Sequence, residues 1–221
     1  MKKKSLFASL IAGTIIFCYS FSPSKVEIKK CDNSTAGVEL KTTMRKLWDD
    51  HVTWTRNVIL NIIDDLPGTD QAVKRLLKNQ DDIGNAIKPY YGDAAGDKLA
   101  KLLHDHITTA ADLLKAAKTD NDKAFKETND KWMANADEIS SFLSKANPNW
   151  KLEDMKKMMH EHLKLTTDEA VARKKKDYDA DIKAFDKVHD EIMEMSDMLT
   201  MGIVKQFPDK FKSVVSAEGT K

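Results

Sequence analysis

The sequence predicts an all-α protein, an antiparallel up-and-down bundle of about six helices. Apolar residues recur at helical spacing from Glu39 onward, and no stretch alternates with period two. Only eight Gly and five Pro interrupt 221 residues, too few for the turns of an all-β fold. Turn-forming clusters then cut the chain into helix-length pieces. With 41% hydrophobic and 32% charged residues, the chain can bury one good core. Lys plus Arg number 36 against 35 Asp plus Glu, a balance of +1 that gives no electrostatic footprint for nucleic acid.

The first segment is a targeting sequence. Lys2, Lys3 and Lys4 precede the apolar run Leu6 to Phe17, and small residues around Cys18 to Ser20 suit cleavage before Phe21. Residues 1–20 are therefore expected to be a signal peptide that exports the chain to a periplasmic or extracellular compartment. The alternative is an uncleaved N-terminal membrane anchor. After cleavage no stable membrane span is expected, since twelve apolar residues are short for one. Neither Cys18 nor Cys31 has the small residue before it that lipid attachment requires: Phe17 and Lys30 stand there instead. Cleavage would remove three Lys and no acid, moving the balance to −2, and would leave Cys31 alone in a polar linker over 21–38. A lone Cys cannot staple the fold, so stability must come from the helical core.

The bundle is expected over 39–211, with a frayed tail at 212–221. The first helix spans about 39–65 and stops at Pro67-Gly68. The second starts at Thr69-Asp70 and ends before Pro89, and Tyr90 to Asp93 turn the chain into a third over about 94–118. A fourth covers about 121–145 and ends at Asn147-Pro148; a fifth spans about 150–164. Thr166 with Glu169 forms a capping box that opens a long sixth helix over about 167–205. Sliding the chain by 56 residues aligns 79–83 with 135–139 and 102–107 with 158–163, so a duplicated helical hairpin with pseudo-two-fold character is expected.

At 100° per residue, four helices each place one His in an apolar stripe: His51, His106, His162 and His189. His104 and His160 fall some 200° away and should face water. Asn79, Gln80 and Asn135 are further polar interruptions of buried faces. A single buried His is ordinarily neutral and hydrogen-bonded, but four together, each costly unless satisfied, point to a shared network or ligand. The four His are therefore candidate metal ligands, and Asn79, Asn135 and Arg56 candidate ligand-binding residues, Arg56 as an anion holder. Its plainer role is a salt bridge to an Asp of the second helix.

A His-rich site favours a transition metal such as Zn or Cu, with haem between two axial His as the weaker alternative. Met155, Met158, Met159, Met193, Met195, Met198 and Met201 lie near His162 and His189 and would suit copper, although Met is also an ordinary core filler. The Glu-x-x-His pairs of di-iron bundles are missing, as are a P-loop, G-x-G-x-x-G, G-x-S-x-G and H-E-x-x-H. Asp179-Ala-Asp181 reads as a mid-helix pair, and Lys174 to Lys176 as an exposed run. Trp54, Trp132 and Trp150 read as core or hairpin-closing residues.

The stretches LWDDHVTWTR (47–56), NQDDIG (79–84), YYG (90–92), NADEI (135–139), NPNW (147–150) and QFPDKF (206–211) resemble a family of uncharacterised bacterial all-helical proteins. The resemblance covers about residues 44–211. Some members carry the labels glycosyltransferase or acetylglutamate kinase. Both chemistries need an α/β nucleotide site, which a wholly helical chain lacks, and the resemblance supplies no site residues.

The sequence thus points first to an exported, non-catalytic bundle binding a metal ion or small ligand at its buried His. The alternative is a structural or partner-binding bundle in which a His/Asn network sets helix register, and a homodimer is open to it. An enzyme of unknown class ranks last, because no nucleophile or acid–base pair is legible.

Overall fold

A computed structural model of the chain describes residues 34–212. The expected signal peptide, most of the expected linker including Cys31, and most of the expected tail lie outside the described residues. Six α-helices follow: α1 Thr35–Ile63, α2 Thr69–Tyr91, α3 Asp93–Lys118, α4 Asp122–Ala146, α5 Leu152–Lys174 and α6 Tyr178–Gln206. A single 3-10 turn, Pro208–Phe211, closes the described chain. The fold class is all-α, as the spacing of apolar residues predicts.

Local chemistry sets the helix ends. The Ser34 hydroxyl accepts from the Gly37 amide, so α1 begins inside the expected linker. Asn121 and Asp177 do the same for Ala124 and Ala180 at the starts of α4 and α6. Gly92, with φ at 81°, separates α2 from α3.

Two expected boundaries move. Helix α2 runs through Pro89 to Tyr91, because Tyr90 and Tyr91 pack against Phe207, Phe211 and Trp150 and outweigh one lost backbone hydrogen bond near the helix end. Helix α5 does not stop at Thr166. Its hydroxyl bonds back to the His162 carbonyl at 2.9 Å, and Glu169 is taken by Arg56, so neither residue is free to form a capping box. The break falls instead at Lys175 to Asp177, where Lys176 has φ of 60°. Lys174 is anchored there to the Ala117 carbonyl and Asp120, so the Lys run is a joint and not merely an exposed face. Asp179 and Asp181 lie in the first turn of α6, not mid-helix, where acids favour the helix dipole.

The helices close into a ring in which each packs on its sequence neighbours and α6 returns to α1. Helices α1, α3 and α5 also touch one another, so they form an inner triangle, with α2, α4 and α6 outside. Helices α2 and α3 approach most closely at Gly84 and Gly96, where a Cβ on Gly84 would stand 2.6 Å from the Gly96 carbonyl oxygen. Gly202 of α6 packs against the Trp150 indole at its nitrogen. Among the described residues, no helix is long and apolar enough to cross a membrane.

Two apolar clusters fill the interior. The larger contains Met44, Trp48, Ile83, Leu102, Trp132, Ile139, Met155, Ile192 and Met195. The smaller contains Val58, Ile59, Ala72, Leu76, Ile107 and Ala111, toward the other end of α1, α2 and α3. Along those three helices the polar residues His51, Asn79, Gln80 and His106 stand between the two clusters.

Candidate functional site: a buried histidine layer

Every helix contributes to that polar layer. The inner helices α1, α3 and α5 supply His51, His106 and His162, all buried. The outer helices supply Asn79 and Gln80 from α2, Asn135 from α4 and Glu191 from α6. The arrangement has three parts, each an inner helix with its His and an outer helix with its polar residue. His106 Nδ1 meets Asn135 Oδ1 at 2.8 Å, and His162 Nδ1 meets Glu191 Oε2 at 2.9 Å, each pair 29 residues apart. Asn135 also donates to the carbonyl of Leu102, one turn before His106. Asn79 donates likewise to the carbonyl of Leu47, one turn before His51.

These contacts define the imidazoles' protonation. Burial, then His162, pushes His106 down to about 3, and burial with both neighbouring His holds His51 well below its ordinary value. Both rings are therefore neutral. Asn135 spends its amide hydrogens on Leu102, so its oxygen must accept and His106 must donate Nδ1–H. That leaves Nε2 of His106 as a bare lone pair. The Glu191 carboxylate imposes the same tautomer on His162 whenever that ring is neutral. The hydrogen bonds of His106 and His162 are thus both made through Nδ1.

His51 is the least satisfied of the three. Gln80 donates to Leu76 O and Asn79 Oδ1, which turns its oxygen toward His51 without a hydrogen bond of good geometry. His51 Nδ1 and Gln80 Oε1 are both buried and unpartnered. The rings of His51 and His162 lie 5.7 Å apart, and Trp48 and Trp132 flank His51 and His106 at 5.6 and 5.2 Å.

The three imidazoles line one internal cavity of about 30 Å³, room for an ion or a water or two. The rest of its wall is apolar, and includes Met44, Met155, Met158, Met159 and Met195. Met158 also lines an acidic surface groove between α5 and α6, with Asp154, Glu161, Glu191, Glu194 and Lys157. Among the described residues, no three His, Cys, Asp or Glu side chains stand close enough to hold a metal ion by themselves.

His189, expected in the cluster, is outside it. Its side chain is 40% exposed and bonds Asp49 of α1 at 3.0 Å, because Val188 takes the inward position on α6. His104 and His160 are half-exposed as expected, and each bonds a carboxylate 23 residues earlier, Asp81 and Asp137. Glu191, which orients His162, has no counterpart in the sequence reading. Its position one residue before Ile192, on the edge of the apolar stripe, was the available signal.

Arg56 does not reach the layer as a free anion holder. It donates to Glu169 of α5 at 2.6 Å and to Asp181 of α6 at 2.8 and 3.2 Å, with Phe185 beneath its guanidinium. Its partners are thus neither an outside anion nor an Asp of α2. Arg173 also reaches Asp181 and pairs with Asp64. Glu169 and Asp181 are almost wholly buried, and burial pushes the Glu169 carboxyl up to about 7 against the pull of Arg56.

Compared with models of protein families, with curated proteins and with solved structures, the chain matches none.

Proposed function

We propose that this chain is an exported, non-catalytic bundle protein that holds a single ion, or a ligand of comparable size, among His51, His106 and His162. One observation carries the reading: three buried imidazoles from three inner helices line one cavity, and the two that hydrogen-bond, His106 and His162, do so through Nδ1. Where Nδ1–H is given to an outer-shell acceptor, the ring offers a lone pair in the tautomer that metal-ligating His adopts. The cavity volume excludes haem as the structure stands and favours an ion over an organic ligand. Export rests on the basic and apolar pattern of residues 1–20. No nucleophile paired with a base joins the layer, which keeps an enzymatic role last.

Thermal melting of the full chain with and without Zn²⁺, Ni²⁺, Cu²⁺ and Cu⁺ tests this. One of these cations should raise the melting temperature of the wild type and of His104→Ala, and leave His162→Ala unmoved. A chain that no cation stabilises would favour the structural reading. That reading has its own support, since Asn79, Asn135 and Glu191 each tie an outer helix to an inner one.

A further inference from the structure

The donors in the cavity select among metals. Its wall offers imidazole nitrogen and thioether sulfur, and no carboxylate, carbonyl or hydroxyl oxygen of a side chain. Magnesium and calcium need oxygen ligands and are poorly served. Zinc would bring two positive charges into an apolar wall and asks for four N, S or O ligands in a tetrahedron. The one carboxylate tied to the layer, Glu191, acts through His162 and offsets one charge only. Monovalent copper needs just that: it accepts imidazole and thioether, carries a single charge, and tolerates few ligands.

Geometry agrees. With metal–nitrogen bonds of about 2 Å, one ion between two imidazoles separates their ring centres by about 5–6 Å, and those of His51 and His162 are 5.7 Å apart. Two imidazoles completed by sulfur need no third His, Cys or carboxylate within bonding distance. The acidic groove gathers four carboxylates beside Met158, which also belongs to the cavity wall, so a cation-attracting surface adjoins a soft ligand.

We infer that the ion is monovalent copper, held by His51 and His162 with thioether sulfur from the methionines of the cavity wall. This inference rests on the ion-binding reading above and goes beyond it by naming the metal and the sulfur ligands.

The test is an anaerobic titration of the full chain carrying Cys18→Ser and Cys31→Ser, so that no thiol competes, against a chromophoric Cu⁺ chelator. X-ray absorption at the copper edge identifies the ligands. One Cu⁺ per chain is expected, with both nitrogen and sulfur scatterers. His162→Gln, which retains a hydrogen-bonding side chain, should weaken binding by at least about tenfold, and His160→Gln should not. Replacing Met44, Met155, Met158, Met159 and Met195 together by Leu should remove the sulfur signal while circular dichroism shows the helices intact. Copper bound by nitrogen alone would overturn the sulfur assignment. His162-dependent binding of Zn²⁺ or Co²⁺ in preference to Cu⁺ would overturn the metal and leave the ion-binding reading standing. If none of these cations binds in a His162-dependent way, both fall.

Discussion

A buried imidazole kept neutral ties stability to pH with a definite sign. His106 titrates at about 3 when folded, against an ordinary 6.5 when unfolded, so the unfolded chain takes up its proton first. The stability contributed above pH 6.5 is lost as pH falls, by up to about 1.4 kcal/mol per pH unit for each such group. His51 acts in the same direction. Glu169 acts in the opposite one: raised to about 7 from 4.5, it contributes fully below pH 4.5 and loses that contribution as pH rises through 7. Denaturant melts of the metal-free chain should therefore show stability falling between pH 6.5 and 5, with a shallower fall in His106→Gln. Glu169→Gln should gain on the wild type at pH 8 relative to pH 5. Equal slopes in His106→Gln and wild type would refute the assignment. His51, His106 and His162 were legible in sequence because each interrupts an otherwise apolar stripe. The orienting partner Glu191 was not, since an acid beside a stripe looks the same whether it faces water or a ring nitrogen.

At the scale of the helix, His189 was misplaced for a physical reason. The inward face of α6 begins Asp181, Ala184 and Val188, while Tyr178 and Ile182 on the other face are half-exposed. A stripe counted from Tyr178 and Ile182 therefore follows the wrong face until Ile192. The interior holds Asp181 because Arg56 meets it there, a pairing between residues 125 positions apart that periodicity cannot reveal. A separation of 113 positions from Arg56 likewise hid the use of Glu169 and, with it, the continuity of α5. Helix contacts yield a further prediction. A methyl on Gly84 would strike the Gly96 backbone, and one on Gly202 the Trp150 indole. Gly84→Ala and Gly202→Ala should each destabilise by about 1–3 kcal/mol in urea melts, although alanine is the better helix former. Stabilisation by either would show that the approach is looser than described.

At the scale of the molecule, the ring is closed between α1 and the α5–α6 pair partly by charge. Arg56 bridges Glu169 and Asp181, and Arg173 extends the set to Asp64 at the end of α1. Removing Arg56 alone leaves two carboxylates buried without their main partner, so Arg56→Met should cost about 3–5 kcal/mol. Adding Glu169→Leu and Asp181→Leu should restore most of it, as a melting series on the three variants would show. The six-helix architecture was legible because helix periodicity and turn residues are local. The inner triangle was not, because which three helices meet at the centre depends on the closure of α6 onto α1.

The aromatic neighbours of the layer give the protein an intrinsic optical reporter. Trp48 and Trp132 lie against His51 and His106, whereas Trp54 sits away from the layer beneath Arg75. Indole emission is therefore divided between three buried chromophores, of which Trp48 and Trp150 line the cavity and Trp132 lies against His106, and one remote reference. An occupant of the cavity would alter the blue, buried component and leave the Trp54 component in place, with no label attached.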